Sequence, residues 1–252
     1  MDTRQPSTGN TVHATRYTQK LLGIESDAKT VKGSRYGYMT GIVYLAPGNL
    51  SGRELCAFRT DGCSASCLNT AGHGQFDSTQ RARITKTQRF TANPVRFVDD
   101  LSAEITKLER RARARQLQPV VRLNGTSDLP WEHLRGSDGQ TLMAQHARVQ
   151  FYDYTKNAPR FTAQRLPKNY HLTFSRSEKN EQACRRFLWE HKGNVSVVFG
   201  TKKGQPLPST WHGYRVIDGD THDLRFLDPR GIVVGLRAKG RAKQDTTGFV
   251  VR

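Results

Sequence analysis

Four short strand-like segments constrain the fold of this chain more than any other feature. Residues 120–124 (VVRLN), 149–154 (VQFYDY), 170–174 (YHLTF) and 195–199 (VSVVF) are rich in β-branched and aromatic side chains. Helical stretches near 131–146, 158–166 and 179–192 lie between them. Strands that alternate with helices build βαβ units, and such units build a parallel sheet covered by its helices. Ligands of these folds sit at the carboxyl ends of the strands. The residues just after each strand are therefore the first place to look for function.

The flanking segments extend the same plan. Residues 36–47 (YGYMTGIVYLAP) read as a further strand or a short hairpin, broken by Pro47, Gly48, Asn49 and Gly52. Two helices are expected next, a basic one over 78–91 and a longer one over 94–116. Asn93 caps the second, Pro94 suits its first turn, and Phe97, Leu101, Ile105 and Leu108 form one apolar stripe. Arg110, Arg111, Arg113 and Arg115 complement the negative end of its dipole. Short strands are expected at 214–217, 224–227 and 232–236, between Asp/Gly turns. The expected architecture is α/β, a partial or complete parallel (β/α) barrel with a β-rich C-terminal closure over 36–240. A polar arm (1–35) precedes it and a basic tail (241–252) follows. Within the arm, Thr18 to Ile24 reads as a short helix. The arm as a whole reads either as loosely ordered or as a nucleic-acid contact.

Charge narrows the partner. Forty Lys and Arg against 22 Asp and Glu leave a formal charge of +18. Such an excess costs self-repulsion, which a polyanion offsets, and nucleic acid is the commonest polyanion. Arg81, Arg83, Lys86 and Arg89 form one basic group. Lys202 and Lys203, with Arg237, Lys239, Arg241 and Lys243, form another. No apolar run approaches the ~18–20 residues that span a bilayer, so no membrane partner is expected. The first residues lack the apolar stretch of a secretory signal, which implies a reducing cytoplasm.

In that compartment, clustered thiols read as metal ligands or catalytic groups. Cys56, Cys63 and Cys67 follow the first strand of the domain within one loop, whereas Cys184 falls inside a helix and reads as a buried thiol. Thiolate sulfur suits an iron–sulfur cluster or zinc. Three ligands with an open fourth position describe a reactive site, although His73 stands near enough in sequence to complete a zinc set. Three unliganded thiols remain the plain alternative.

Other loops add polar chemistry. Asn124 to Glu132 (NGTSDLPWE) follows a strand, with Gly125 allowing close backbone approach and Ser127 and Asp128 offering hydrogen bonds to a ligand. The same residues would also cap a helix start. Asp153 to Lys156, Ser175 to Ser177 and Thr201 to Lys203 each end a strand in hydroxyls plus a cation, as a phosphate-binding mouth requires. Trp211-His212-Gly213-Tyr214, with Asp218, Asp220, His222, Asp223 and Asp228, reads as an acid–base or hard-metal group, or as turn chemistry.

The chain resembles a family of poorly characterised bacteriophage proteins. The resemblance rests on the loop from Leu45 to Cys67, on RLNGTSDLPWE (122–132), on FYDYTK (151–156) and on HDLRFLDPRGIVVGLRAKG (222–240). Its three-cysteine loop also resembles that of radical S-adenosylmethionine (radical-SAM) enzymes, with six and three residues between cysteines where that family has three and two. No Gly-Gly-Glu stretch follows the second strand either. This second resemblance implies a [4Fe–4S] cluster on Cys56, Cys63 and Cys67. It implies S-adenosylmethionine held by Asn124, Ser127 and Asp128, and radical modification of a nucleotide or base. Asp128, Lys156 and Arg176 would serve the reaction, and Lys156, Arg176 and Lys202 would line the rim. The alternative is a non-catalytic nucleic-acid-binding phage protein with structural zinc on the cysteines. A phage origin would make the compartment the host cytoplasm.

Overall fold

The strand-like segments pair side by side, and their alternation decides what faces what. The computed structural model describes residues 19–25, 28–162 and 166–252. Nine strands are present among them: β1 (Leu22–Ile24), β2 (Tyr38–Val43), β3 (Gln118–Arg122), β4 (Gln150–Thr155), β5 (Tyr170–Ser175), β6 (Val195–Phe199), β7 (Thr210–Trp211), β8 (Tyr214–Asp218) and β9 (Val233–Arg237). They form one sheet in the order β1-β2-β3-β4-β5-β6-β9-β8-β7. From β2 to β8 along that order all neighbours run parallel, while β1 and β7 are antiparallel edges.

Among the described residues six α-helices accompany the sheet: α1 (Ala28–Ser34), α2 (Asp61–Ala65), α3 (Asp77–Ala92), α4 (Pro94–Ala114), α5 (Leu142–Gln145) and α6 (Glu181–His191). Asn93 caps α4 by accepting the Arg96 N–H at 2.9 Å, and Pro94 occupies its first turn. The apolar stripe Phe97, Leu101, Ile105 and Leu108 is fully buried against Met39, Val43, Val121, Leu123 and Phe151 on one face of β2 to β4. Farther along the same face, Cys184 and Leu188 of α6 pack on Phe174, Val195, Val197 and Val233. Cys184 is thus the buried thiol that its helical setting implies.

The opposite face is polar in part and is filled by the chain itself. Val120 and Tyr152 there meet Leu224, Phe226 and Tyr38. The segment 222–228, between β8 and β9, lies against β4 and β5 as a plug. Its Arg225 is wholly buried, donates to the His222 carbonyl and pairs with Asp228 at 3.3 Å.

The structure corrects several expectations. The sheet is open, because β1 and β7 do not pair with each other, so no closed barrel forms and the C-terminal strands lengthen the sheet. Leu22–Ile24 is a strand instead of a helix, opposite Gly41, where a Cβ would come within 2.7 Å of the Leu22 side chain. Thr18, the first residue of that expected helix, lies outside the described residues. The strand expected at 224–227 is a 3-10 turn, Arg225–Leu227, because the Arg225 side chain bonds back to residues 222 and 228. The helix expected over 131–146 shrinks to a 3-10 turn (Trp131–His133) and the single turn of α5. Gly136 and Gly139 interrupt it, the latter at φ 75°. The helix expected over 158–166 is likewise a 3-10 turn, Ala158–Phe161. Among the described residues, no helix is long and apolar enough to cross a membrane.

Candidate functional site

Loops leaving the carboxyl ends of β2, β3, β4, β8 and β9 enclose a cavity of about 320 Å³. That volume falls within the range of small-molecule sites. Cys56, Cys63 and Cys67 line one wall, Asn124 to Asp128 and Lys156 a second, and Lys32, Asp220, Arg237 and Lys239 the far side. Arg122, Tyr154 and Asp223 form the floor.

The cysteine loop is fixed by its own polar groups. Thr60 caps α2 by accepting the Cys63 N–H at 3.2 Å. Glu178 accepts the Thr60 hydroxyl at 2.8 Å and the Gly62 N–H at 2.9 Å, tying this loop to the one after β5. The Gly48 N–H donates to Cys56 Sγ at 3.4 Å and the Asn69 N–H to Cys67 Sγ at 3.5 Å. Burial pushes the Cys56 thiol up to about 12, with Asp128 adding to the rise, and burial also raises Cys67 with Cys63 beside it. The three thiols share a wall, yet the Cys56 and Cys67 sulfurs are held by different backbone groups. Among the described residues, no group of three or more His, Cys, Asp or Glu side chains is gathered as a metal-holding set.

The second wall depends on Asn124. Its Oδ1 accepts from the Ser127 hydroxyl (2.8 Å), the Leu129 N–H (2.9 Å) and Trp131 Nε1 (3.1 Å). Its backbone N–H donates to the buried carboxylate of Asp153 at 2.6 Å. Gly125 passes so near β2 that a Cβ would stand 2.7 Å from the Val43 carbonyl. Asn124 and Ser127 are therefore spent on shaping the loop. Asp128 is held as firmly, since it accepts the Lys156 N–H at 2.9 Å and pairs with Arg160 at 3.2 Å. Arg160 in turn binds Glu132 at 2.7 Å and the Tyr170 hydroxyl at 3.0 Å.

Lys156 lies inside the cavity and donates to Ser175 Oγ at 3.2 Å. Burial opposes its charge, but Cys63 and Asp128 beside it carry it above the ordinary lysine value. On the floor, Arg122 pairs with Asp223 at 2.8 Å, and its guanidinium stacks over the Tyr154 ring at 4.7 Å. The Tyr152 and Tyr154 hydroxyls also donate to Asp223, each at 3.3 Å. The one signal for Arg122 in the sequence is a charged residue inside an otherwise apolar strand, where charge is rarely buried unless paired.

Two expected groups do not reach the site. Arg176 does not line the cavity; it binds Glu181 at 2.7 Å and the Phe249 carbonyl at 2.9 Å, clamping the C-terminal segment. Lys202 and Lys203 are exposed beyond it. Of the basic residues on α3, only Arg81 is exposed. Arg83 binds Asn69, Lys86 donates to the Leu21 carbonyl at 3.3 Å, and Arg89 pairs with Asp100 at 2.6 Å. The helix thus presents no basic face, because its cations anchor the N-terminal strand and the cysteine loop. At the cavity rim Arg237 pairs with Asp218 (2.9 Å) and Lys239 with Asp220 (2.6 Å), while Arg241 and Lys243 are exposed. Asp218, Asp220 and Asp223 thus neutralise cations, and among the described residues no hard-metal group forms around them.

No curated protein and no solved structure matches the chain. No relationship to radical-SAM enzymes emerges from these comparisons. The model of the family described as Gene product 88 matches residues 13–252. That match takes in the cysteine loop, the 124–132 wall and the plug together, and by it the chain belongs to the Gene product 88 family of phage proteins.

Proposed function

We propose that the cavity is the reaction chamber of an iron–sulfur enzyme that acts on a nucleotide or a base. The carrying observation is that Cys56, Cys63 and Cys67 line one wall of a ligand-sized cavity at the carboxyl edge of a parallel sheet. The donor type suits a [4Fe–4S] cluster, since three soft sulfurs leave one metal position open and backbone N–H groups point at two of them, but the three thiols are not gathered as a set and would have to draw together to hold it. When bound beside S-adenosylmethionine, such a cluster supplies the electron that cleaves the cofactor.

The chain's own residues do the rest. Asn124 and Ser127 hold the 124–128 wall in shape, and the backbone of Gly125 and Thr126 on that wall would meet the cofactor. Lys156 places a positive charge inside the chamber, where it holds an anionic substrate group near the thiols. Arg122 and Tyr154 present a flat floor suited to a planar ring. The plug closes the chamber from below and excludes water, which a reactive intermediate requires.

Anaerobic reconstitution with iron and sulfide tests this reading. About four irons per chain with a broad visible absorption, both lost in Cys63→Ala, are expected. A colourless protein with one zinc would replace the enzyme with a zinc-stapled binding protein. A protein that takes up neither metal would overturn both.

A further inference from the structure

The opposite edge of the sheet carries a row of cations, and each stands two or three residues ahead of a parallel strand. Arg35 precedes β2, Arg115 β3, Arg148 β4, Lys168 β5, Lys192 β6 and Arg230 β9. All six are exposed. These strands are consecutive neighbours in the sheet. Adjacent strands lie about 4.8 Å apart, so five steps set the row over roughly 24 Å of one edge. Arg115 pairs with Glu25, but among the described residues no ion pair joins any of the other five. At the carboxyl edge, by contrast, Arg237 and Lys239 are neutralised by Asp218 and Asp220.

An aromatic ring stands in the same row. Trp189, on the last turn of α6, is 69% exposed, the most exposed of the large apolar side chains described. The Lys192 ammonium lies 4.8 Å from its ring centre, and Arg185 and Arg186, one turn earlier, are also exposed. A tryptophan so open to water gains nothing for the core. Cations that track a backbone, beside an aromatic that accepts any base, are the two parts of a single-strand binding surface.

We propose that this edge binds single-stranded nucleic acid, its phosphates along the cation row and one base stacked on Trp189. The surface is separate from the thiol-lined cavity and does not depend on the cluster. It also relocates the polyanion contact that the net charge of +18 calls for away from α3, whose cations other than Arg81 are held by neighbouring elements.

The test uses the full chain and a 20-nucleotide oligothymidylate. Trp131 and Trp211 are buried, so solvent-exposed tryptophan emission reports on Trp189. The oligonucleotide is expected to quench that emission and to shield it from acrylamide. A variant with Arg148, Lys168, Lys192 and Arg230 all changed to Gln should bind at least tenfold more weakly. Its log–log salt slope should shrink by about 3, from the factor of about 0.7 per phosphate contact on single strands. Trp189→Ala should weaken binding about fivefold or more, by loss of one stacked base. Unchanged affinity and slope in the four-site variant would overturn the proposal, as would loss of binding only on changing Lys239, Arg241 and Lys243. Iron uptake measured on the same preparations separates this outcome from the cluster reading.

Discussion

The two edges of the parallel sheet are made from the same strands and have been given opposite electrostatics. At the carboxyl edge, the cations around the cavity are satisfied, Arg122 by Asp223, Lys239 by Asp220 and Arg160 by Glu132 and Asp128, while Lys202, Lys203, Arg241 and Lys243 stand exposed beyond it. At the amino edge, one exposed cation stands ahead of each of the six neighbouring strands β2 to β6 and β9, and only Arg115 has a carboxylate partner among the described residues. Paired, buried charges position groups and exclude water, while solvated unpaired ones act at a distance and lose strength with salt. The difference separates a chamber for chemistry from a surface for holding a long anion. A sequence-wide charge of +18 does not distinguish these uses.

Breaking the carboxyl edge gives the largest effects. Cys63→Ala is expected to abolish iron retention altogether while leaving oligothymidylate affinity within about twofold, as read by metal analysis and fluorescence on one preparation. If affinity falls together with the metal, the two edges are not independent. Next in size is Asp223→Ala, which strips the buried Arg122 guanidinium and two tyrosine hydroxyls of their shared acceptor. Removing one partner of a buried pair costs about 3–5 kcal/mol, measured by chemical denaturation. Asp223→Ala should therefore destabilise the fold more than any single change in the cation row, where surface substitutions stay within about 0.5 kcal/mol.

A subtler effect is expected from Asp153. Burial pushes its carboxyl up to about 7, against hydrogen bonds from Asn124 and Tyr170. An acid whose pKa is raised on folding contributes stability that is fully present below its unfolded value of 3.8 and is lost as pH rises through about 7. The chain should therefore lose stability between about pH 4 and 7 by an amount that Asp153→Asn does not lose. The variant itself starts lower, because an amide cannot accept from every donor there. Denaturant midpoints across that range provide the check, and parallel pH profiles would show that Asp153 is not the group responsible.

Periodic features were legible in the sequence, and features made by non-local partners were not. The α4 stripe, its Asn93 cap and β3 to β6 could be read because each is set by local spacing and local chemistry. The short β1 strand could not, since only Gly41 across the sheet makes room for Leu22. The plug misled for a related reason: Arg225 looks like a strand residue until its partners at 222 and 228 are known. At the site, the three cysteines and Lys156 share one mouth because each follows a parallel strand, a position that the sequence displays. Arg176 also follows a strand but turns to Glu181 and the Phe249 carbonyl, and no feature of its own strand announces those partners. The basic run on α3 failed likewise, because its acceptors Leu21 and Asp100 lie on other elements.

The smallest expected effect is also the sharpest test of the contrast between edges. Lys239 lies at the cavity rim, half exposed and bound to Asp220 at 2.6 Å, with Arg237 on the same carboxylate at 3.3 Å. Lys239→Gln removes one charge, just as Lys168→Gln does at the other edge, so net charge cannot distinguish the two variants. If the long anion follows the amino edge, Lys168→Gln should lower the salt slope by about 0.7 and Lys239→Gln should leave it unchanged. Equal slopes in the two variants would mean that the protein attracts nucleic acid by its overall charge, with no track. A larger drop for Lys239→Gln would place the strand across the chamber mouth, where the chemistry proposed for the thiols would act on it directly.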